Sequence, residues 1–310
     1  TVVTWGYASY GGNKTGLTNV KAIYASYPNG YTFVAHHHDN SITPWGYAAY
    51  GGNGPKLKNV ASLHPSRFAW LAVGTNGKTT VWGYSTYGGN IPSGTRAAID
   101  KQGVKSVATT NSAFAVLTKA GRVYPWGYSS YGGSFNQSNA ANCASSGITQ
   151  LDGTYYSFAA FGPGKLCAWG SSSYGGNIPG GGGRFIISKN YNIKLHNNDM
   201  VWVALDTKSK KVIKTWGYAS YGGSGVSLSS LTNISSLHPI SYGFAALKTN
   251  GSVTSWGNSY AKSKPSFGAI KKLYSNWYAF AALDTKGRIY PWGVSSGGGT
   301  PGGAKSALLS

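Results

Sequence analysis

Short apolar runs separated by glycine-containing turns recur along this chain of 310 residues. The clearest copies are residues 114–126, 244–256 and 280–292, and looser copies lie at 33–45, 68–82, 158–169 and 202–216. Each copy has an apolar run, a polar turn with glycine and a second run that ends in tryptophan, which predicts two antiparallel strands joined by a tight turn. A further apolar run upstream, as at 104–107 or 270–273, predicts a third strand in each unit.

The second run of every copy ends in a Trp-Gly dipeptide, and spacings between successive dipeptides are 36 to 47 residues. A period near 40 indicates a repeat architecture in which small sheets stack on one another to bury their faces. We therefore predict an all-β fold, a seven-bladed β-propeller formed by residues 1–310 as a single domain. Seven blades require residues 1–5 to close the ring with the C-terminal strands, and eight blades are the alternative. The eight tryptophans are Trp5, Trp45, Trp82, Trp126, Trp169, Trp216, Trp256 and Trp292.

Proline precedes the motif tryptophan in three copies, as Pro44, Pro125 and Pro291. A proline has no N–H group to donate to a neighbouring strand, so it is tolerated where that side of the strand has no partner. The recurrence predicts that the strand carrying the motif tryptophan lies at the edge of its sheet.

Composition agrees with an all-β chain. Hydrophobic residues make up 41 % of the chain, enough for a core, while 46 residues are glycine and none is glutamate. Glutamate is a good helix former, whereas the tyrosine, threonine and valine that are frequent here favour strands.

The segment Leu-x-x-x-Gly-x-Val/Ile-x-x-Trp-Gly, present around Trp126, Trp256 and Trp292, resembles the repeat of the regulator of chromosome condensation family. The resemblance covers nearly the whole chain and implies a seven-bladed propeller. The loop after Trp-Gly departs from the family, because Tyr-x-x-Tyr-Gly-Gly stands where the family has an asparagine and Gln-Leu-Gly. The family's nucleotide-exchange activity is therefore not carried over, and the chain is more similar to divergent bacterial versions in secreted and surface proteins.

The chain has 27 lysines and arginines against six acidic residues, all aspartate, which gives a formal net charge of +21. This charge predicts attraction to an anionic partner such as a polysaccharide, a lipopolysaccharide or a nucleic acid, since solubility alone asks for about 2–8 charges. Basic residues recur in the hairpin turns before the motif, and we expect them to form one basic face. They are Lys78, Arg122, Lys165, Lys210, Lys211 and Arg288.

The Tyr-x-x-Tyr-Gly-Gly loops leave the other end of the same strand, so we expect them on the face opposite the basic turns. Tyrosine offers an apolar ring with a polar tip, and asparagine offers a donor and an acceptor, which suits the faces and hydroxyl edges of sugar rings. Several weak sites on one surface would give avidity. The candidate ligand-binding residues are Tyr7, Tyr10, Asn13, Tyr47, Tyr50, Asn53, Tyr84, Tyr87, Asn90, Tyr128, Tyr131, Tyr174, Asn177, Tyr218 and Tyr221.

A structural alternative stands beside this interpretation. The tryptophan and one tyrosine would wedge between blades, the glycine pair would make a turn, and the asparagines would complete that turn. For the tryptophans we prefer the structural role. The last two motifs lack the tyrosine pair, because Asn258 and Val294 follow their Trp-Gly dipeptides, and we expect no ligand there.

Two side-chain groups invite a chemical interpretation. Cys143 and Cys167 could form a disulfide across 24 residues, or remain a free buried pair. The run His36, His37, His38 and Asp39 resembles a metal cluster, but consecutive residues of a strand point to alternate faces, so the three imidazoles cannot converge on one ion. We predict no metal site and no cofactor.

Enzyme signatures are absent from the sequence: no paired carboxylates, nucleophile elbow, HExxH motif or phosphate-binding loop is found. No run of 18 apolar residues could span a membrane. We therefore expect a non-enzymatic, secreted or cell-surface module that recognises a glycan or an anionic envelope polymer, in the manner of a lectin or adhesin. The alternatives are a structural or self-assembling domain of a larger surface protein, and a nucleic-acid-binding propeller.

Overall fold

The computed structural model describes residues 1–26 and 30–300, which are almost entirely strand and turn. Within these residues, 22 strands form seven sheets, six with three strands and one with four. Strands that follow one another along the chain are neighbours in their sheet, so every sheet is a simple up-and-down meander. This all-β arrangement of seven small sheets matches the blades of a seven-bladed β-propeller.

We number the sheets along the chain. Sheets 1 to 3 consist of β1 (Val20–Ala25), β2 (Thr32–His37), β3 (Ile42–Gly46), β4 (Val60–Pro65), β5 (Ala69–Gly74), β6 (Thr79–Gly83), β7 (Val104–Thr109), β8 (Ala113–Thr118) and β9 (Val123–Gly127). Sheet 4 consists of β10 (Gln150–Gly153), β11 (Ser157–Gly162), β12 (Lys165–Gly170) and β13 (Arg184–Ile186). Sheets 5 to 7 consist of β14 (Ile193–Asn197), β15 (Val201–Asp206), β16 (Lys211–Gly217), β17 (Ile234–Ile240), β18 (Gly243–Lys248), β19 (Val253–Gly257), β20 (Ile270–Ser275), β21 (Ala279–Asp284) and β22 (Ile289–Gly293).

The predicted hairpins are confirmed. In sheets 1 to 3 and 5 to 7 an aromatic residue of the middle strand lies directly opposite the motif tryptophan, as in the pairs Phe114–Trp126 and Phe280–Trp292. In the copy at 68–82 this residue is Trp70 and not Phe68. In the Phe114 and Phe280 pairs the two rings stack with centroids 5.3 and 4.9 Å apart. A ring pair of this kind contributes about 0.5–1.5 kcal/mol beyond its buried area, so it helps to fix the register of each hairpin.

The proline prediction is also confirmed, because β3, β9 and β22 are edge strands of their sheets. Sheet 4 shows the complementary case. There Ala168 stands where three other copies have proline, and its backbone N–H donates to the carbonyl oxygen of Gly183 at 2.9 Å. The extra strand β13 can therefore add outside β12 in this sheet.

Among residues 1–26 and 30–300, three α-helices interrupt the strands, and the sequence analysis did not predict them: α1 (Ser93–Gln102), α2 (Ala140–Cys143) and α3 (Ser259–Lys262). The longest, α1, has ten residues and ends at Gly103, whose φ of 74° and N–H bond to the carbonyl of Ile99 close the helix. It buries Ile99 against the core formed by sheets 2 and 3.

The described residues group into two compact units. The first consists of residues 1–162, 166–171 and 182–184, and the second consists of residues 163–165, 172–181 and 185–300. Near the N-terminus, Val2 makes an antiparallel bridge to Leu17. That residues 1–310 form one domain, closed by residues 1–5 and C-terminal strands, stays a prediction.

The motif tryptophans connect successive sheets within each unit. The indole N–H of Trp82 donates to the carbonyl oxygen of Gly51, and that of Trp126 to Gly88, both at 3.1 Å. In each case the acceptor is the first glycine of the Gly-Gly pair in the preceding motif. The same contact joins Trp169 to Gly132, and, in the second unit, Trp216 to Gly175. We call this contact the indole latch. It agrees with the structural role that the sequence favoured for the motif tryptophans, except at Trp5, which is 84 % exposed and not buried between sheets.

The disulfide left open by the sequence is present in the structure. Cys143 of α2 and Cys167 of β12 are joined, with their Cα atoms 5.7 Å apart. Both residues are fully buried in a core cluster that also contains Phe158 and Trp169. The bond therefore fixes the inserted α2 segment to the face of sheet 4.

The indole latch can be measured by comparing two tryptophans of equal burial. Trp45 and Trp82 are 6 % and 7 % exposed, but the Nε1 of Trp45 has no hydrogen-bond partner, whereas that of Trp82 has Gly51. Both phenylalanine variants lose the same volume, so we expect Trp82→Phe to lower the free energy of unfolding by about 1 kcal/mol more than Trp45→Phe. Urea denaturation of the two variants measures the difference, and equal losses would show that the latch contributes nothing.

Reduction of the disulfide is expected to lower the free energy of unfolding by about 3 kcal/mol, because the unfolded chain then regains the freedom of a loop of 24 residues. Denaturation with and without dithiothreitol gives the value. The Cys143→Ala, Cys167→Ala double variant is the control and should not respond to the reductant. A wild-type midpoint that dithiothreitol leaves in place would contradict this account.

Candidate functional site

The Tyr-x-x-Tyr-Gly-Gly segment forms the same turn each time it occurs in full. In the second motif Tyr47 is extended, residues Ala48–Tyr50 form one turn of 3-10 helix, and Gly51 has a φ of 102°. The N–H groups of Tyr50 and Gly52 both donate to the carbonyl oxygen of Tyr47, at 3.1 and 3.0 Å. The equivalent turns are Ala8–Tyr10, Ser85–Tyr87, Ser129–Tyr131 and Ala219–Tyr221.

Each glycine of the pair is required by a close approach. A Cβ atom on Gly88 would lie 2.6 Å from the ring of Phe114 in the next sheet. A Cβ atom on Gly52 would lie 2.2 Å from the carbonyl oxygen of Gly46, which belongs to the Trp-Gly dipeptide of the same motif. The first glycine therefore allows the next sheet to approach, and the second folds the loop back on its own strand.

The turn gives the two tyrosines of each motif different surroundings. The first tyrosine of a motif, which we call outer, is exposed to solvent. The second, which we call inner, is half-buried in every motif except the first. The outer tyrosines are 37 % to 71 % exposed, and they are Tyr7, Tyr47, Tyr84, Tyr128 and Tyr218. The inner tyrosines are Tyr10, Tyr50, Tyr87, Tyr131, Tyr174 and Tyr221, of which Tyr10 is the most accessible at 40 %.

In the first unit the outer and inner tyrosines form one unbroken series of ring contacts, which we call the tyrosine ladder. Successive centroids along Tyr7, Tyr10, Tyr47, Tyr50, Tyr84, Tyr87, Tyr128 and Tyr131 are 4.8 to 6.3 Å apart. Tyr10, Tyr50 and Tyr87 each pack between the outer ring of their own motif and the outer ring of the next motif. Four successive motifs, the N-terminal one and those that follow sheets 1 to 3, thus present a continuous aromatic strip rather than isolated rings.

A shorter series lies in the second unit. The ring of Tyr174 contacts that of Tyr218 at 5.7 Å, and Tyr218 contacts Tyr221 at 4.9 Å. Tyr221 in turn contacts Tyr242 at 5.2 Å. Burial is the largest cause that raises the pKa of Tyr50 and of Tyr221, so these hydroxyls remain protonated donors at neutral pH.

The sequence analysis missed a further set of aromatic residues, which pack against the inner tyrosines of the ladder. They lie in the short loops between the first and second strands of the sheets, two residues before the aromatic that pairs with the motif tryptophan. Tyr31 stacks on Tyr10 at 4.3 Å, Phe68 contacts both Tyr50 and Tyr87 at 4.8 Å, and Tyr156 contacts Tyr131 at 5.1 Å. The sequence contained this signal, because an aromatic residue has this spacing in five of the seven sheets. These residues are Tyr31, Phe68, Tyr156, Tyr242 and Tyr278.

The four predicted asparagines do not behave alike. Asn13, Asn53 and Asn90 are exposed just beyond the glycine pair, whereas Asn177 is half-buried. Each of the three exposed asparagines follows the inner tyrosine of its motif by three residues. A role for them in ligand binding stays a prediction.

The basic residues lie at the other end of the hairpins. Lys78 immediately precedes β6, whereas Tyr84 immediately follows it, so the two side chains start from opposite ends of one strand. Arg122 and Tyr128 bracket β9 in the same way. This placement within single sheets agrees with the predicted separation of basic turns from tyrosine loops.

The basic turns differ in how much free charge they present. Lys78, Arg122, Lys210 and Lys211 are exposed, and Lys165 is half-buried. Arg288 is paired, because its Nε donates to Asp284 at 2.9 Å, and backbone and side-chain hydrogen bonds from Arg288 hold the pKa of this buried carboxyl below its usual value against the effect of burial. Arg288 therefore adds less to a basic face than its position in the sequence predicted.

Three of the six histidines are kept neutral at neutral pH by burial. His64 and His196 occupy the same position on the first strands of sheets 2 and 5, and burial lowers the pKa of each to about 4. Burial also lowers the pKa of His238, the equivalent residue of sheet 6. These three side chains therefore add no charge to the positive field of the lysines and arginines.

The His36–Asp39 run takes part in hydrogen bonds of the fold. His36 bonds through Nε2 to the carbonyl of Val60 at 3.1 Å, and both ring nitrogens of His37 are engaged, with Thr18 and Thr43. Asp39 accepts from the N–H and hydroxyl of Ser41, as Asn250 does from Ser252 in the matching turn of sheet 6. Among residues 1–26 and 30–300, no three histidine, cysteine or acidic side chains form a group that could hold a metal ion.

The two divergent motifs keep the scaffold but lose the tyrosines. After Trp256, Asn258 accepts a bond from the N–H of Ala261 and starts α3, and the carbonyl of Ala261 receives the indole N–H of Trp292 at 3.1 Å. After Trp292, residues Ser295–Gly297 form the usual 3-10 turn without aromatic side chains. The fold therefore tolerates the loss of both tyrosines from a motif.

Two cavities of the first unit lie beside a tyrosine loop and a basic turn. One of about 310 Å³ lies at the first motif, and its lining includes Trp5, Tyr7, Tyr10 and Trp45. The other, of about 630 Å³, lies beside α1, and its lining includes Lys78 and Arg96. Neither cavity holds paired carboxylates or a nucleophile with an adjacent base.

In the part of the chain that the structure describes, no helix is both long and apolar enough to cross a membrane. No protein-family model matches the sequence. No curated protein matches it either.

Solved structures with a similar fold are found. The entire ectodomain of the Physcomitrella patens receptor kinase CR4 is 14 % identical with a TM-score of 0.48, over 88 % of this chain and 73 % of that one. Yeast RCC1 (Prp20), solved bound to Kap60, is 13 % identical with a TM-score of 0.46, over 90 % and 70 %. The CRINKLY WD40 ectodomain of the Arabidopsis thaliana receptor kinase ACR4 is 15 % identical with a TM-score of 0.44, over 89 % and 95 %. These TM-scores are below 0.5, and the fold assignment rests on the seven sheets.

The close approach at the first glycine of the pair can be tested against a glycine with free space. Gly88 and Gly77 both have a positive φ, of 103° and 78°, but a Cβ atom on Gly77 would meet nothing within 4 Å. Both alanine variants carry the backbone strain of that conformation, and only Gly88→Ala also presses on Phe114. We expect Gly88→Ala to lose about 1–3 kcal/mol more unfolding free energy than Gly77→Ala in urea titrations. Similar losses in the two variants would remove the packing argument.

Proposed function

We propose that the protein is a non-enzymatic binding module of the secreted or cell-surface type, which recognises a glycan or another anionic envelope polymer through the tyrosine ladder. The observation that carries the proposal is the continuity of the ladder, in which exposed rings of four successive motifs are supported by inner rings. Rings that are already held in place lose little freedom when a ligand binds.

The chemistry of the ladder suits a saccharide chain. Aromatic faces pack on the C–H faces of sugar rings, and phenolic hydroxyls exchange hydrogen bonds with sugar hydroxyls. Each outer tyrosine repeats on an equivalent turn, so a polymer with a regular repeat can use several of them at once, with a gain in avidity. The net charge of +21 adds long-range attraction for an acidic polymer, and this attraction weakens with salt.

A second candidate is association between copies of this chain, and the first motif favours it. Trp5 and Val3 are 84 % and 75 % exposed, and Ile23 is 46 % exposed beside the same cavity. Exposed apolar groups that cluster in this way are typical of protein contact surfaces. Light scattering that rises with concentration in the absence of glycan, and falls in a Trp5→Ser variant, would favour this candidate.

Nucleic acid is the remaining alternative, since tyrosines interleaved with a positive field also suit stacked bases. The salt dependence separates the two ligands. Binding to single-stranded nucleic acid falls steeply with salt in proportion to the phosphates neutralised, whereas ring stacking on sugars persists.

The test is a glycan and polyanion array at low and physiological salt. The Tyr47→Ala, Tyr84→Ala, Tyr128→Ala variant removes three outer rings, and we expect it to lose at least about tenfold in affinity, since each lost stacking contact weakens the others through avidity. The matching triple phenylalanine variant should keep more of the binding, because it keeps the rings. Tyr274→Ala, which removes an exposed tyrosine outside the motif, is the control.

Unchanged affinity in the triple alanine variant would contradict the proposal, provided that circular dichroism shows a folded protein. Binding that disappears at physiological salt in the wild type would leave charge as the whole attraction. The ladder would then be part of the scaffold only.

A further inference from the structure

One position of the sheet repeat is occupied by a different residue in each of the seven sheets. It lies three residues before the aromatic that pairs with the motif tryptophan, in the loop between the first and second strands. In the first unit it is occupied in turn by Gly30, Arg67, Asn111 and Tyr155, and in the second by Asp199, Ser241 and Trp277. The next position along the chain is aromatic in five of the seven sheets, so the fold restricts that position. The variable position before it is not restricted in this way and can carry different side chains.

Three of these residues form one cluster in the first unit. The backbone N–H of Arg67 donates to the carbonyl of Asn111 at 3.2 Å, and the N–H of Asn111 donates to the carbonyl of Tyr155 at 3.0 Å. The guanidinium Nη1 of Arg67 donates to the hydroxyl of Tyr155 at 3.2 Å. Loops from sheets 2, 3 and 4 are therefore held together with an arginine, an amide and a phenol side by side.

The cluster adjoins the tyrosine ladder. The Arg67 guanidinium lies over the ring of Phe68, 5.2 Å from its centroid, and Phe68 contacts the inner tyrosines Tyr50 and Tyr87. The ring of Tyr155 contacts that of Tyr156, which packs on Tyr131. A chain that lies along the ladder would therefore pass directly beside the guanidinium.

Two polar atoms of the cluster have unmet hydrogen-bonding capacity. Asn111 is 8 % exposed, its amide nitrogen donates to Ser112, and its Oδ1 has no partner among the described residues. The Nε of Arg67 is likewise buried without a partner. Because buried polar atoms are nearly always bonded in proteins, an unmet donor and an unmet acceptor on neighbouring residues indicate a site that a ligand completes.

We propose that Arg67, Asn111 and Tyr155 form a subsite for the carboxylate of an acidic sugar in a chain bound on the tyrosine ladder. The inference rests on the proposed function and names the ligand class more closely. With Nη1 held by Tyr155, the Nε and Nη2 edge of the guanidinium remains for a carboxylate, whose two oxygens match that edge in a bidentate pair.

The other two side chains complete the recognition. The Tyr155 hydroxyl accepts from Arg67 and keeps its own proton to donate to a ligand oxygen. The Oδ1 of Asn111 accepts from a sugar hydroxyl next to the carboxylate. A site of this kind distinguishes a uronic acid from its methyl ester, since the ester has no charge and its alkoxy oxygen is a much weaker acceptor that carries a methyl group.

The experiment measures the affinity of the full chain for a hexamer of galacturonic acid, for its methyl ester and for a sulfated neutral hexamer, by calorimetry at physiological salt. We expect the wild type to prefer the free acid over the ester. Arg67→Lys keeps the charge but not the planar fork, and we expect it to weaken binding of the acid about tenfold while it leaves binding of the ester unchanged. The control is Arg122→Lys, which alters an exposed arginine that also lies over a tyrosine ring, at the other end of its sheet. It should change neither affinity.

The outcomes distinguish this inference from the function on which it rests. Equal binding of acid and ester that still depends on the outer tyrosines would overturn the carboxylate subsite and leave the glycan-binding proposal standing. A preference for the sulfated hexamer, or equal losses in Arg67→Lys and Arg122→Lys, would also overturn the subsite. No binding of any hexamer would overturn both. Thermal unfolding of each variant confirms that it is folded.

Discussion

The indole N–H of a motif tryptophan, bonded to a glycine carbonyl of the preceding motif, is the contact on which the rest of this structure depends. It recurs with nearly constant geometry, at 3.0 to 3.1 Å, between Trp82 and Gly51, Trp126 and Gly88, and Trp169 and Gly132. The approach is close enough that the acceptor residue has no room for a Cβ atom in these motifs. A three-stranded sheet cannot bury both faces alone, so these sheets are stabilised by the neighbours that this contact holds against them. Trp45 and Trp256 are buried in the same way but lack the bond.

The latch also accounts for the position of the tyrosines. The glycine pair folds the chain back after the tryptophan, and the two tyrosines that precede the pair are placed by that turn, one outward and one against the next motif. The divergent motifs show that the roles are separable, since Ala261 still accepts the indole N–H of Trp292 where the tyrosines are absent. Tryptophan and glycine therefore build the scaffold, and the side chains between them are available for recognition.

Much of the fold could be predicted from the sequence because its signals are local and repeated. The period of tryptophan, the glycine turn and the proline before Trp45 or Trp126 each follow from one strand and its hairpin partner. Helix α1 was not predicted because it is inserted at one place only, between β6 and β7, so no repeated sequence pattern indicates it. The disulfide was left open because spacing alone does not place Cys143 beside Cys167, whereas the packing of α2 on sheet 4 does.

The candidate site was predictable in part. The ladder tyrosines follow from the repeat, but their supporting rings Tyr31, Phe68 and Tyr156 come from another loop, which only the folded sheet brings to the same end. Arg67 was not recognised as a candidate binding residue because its position holds a different residue in each of the seven sheets. Its contact with Tyr155 also spans 88 residues of sequence. The ion pair between Asp284 and Arg288 leaves the net charge unchanged but removes one free charge from the basic turns, which the sequence does not indicate.

The central claim is that tryptophans hold the scaffold while tyrosines meet the ligand, and NMR can observe both groups in one sample. We would label tyrosine rings and tryptophan indole nitrogens, and titrate the protein with an acidic oligosaccharide. The account predicts that tyrosine ring signals of the ladder shift with a common binding curve, while the indole N–H signals of the latches stay in place. Indole signals that shift while the tyrosine rings remain unaffected would contradict it.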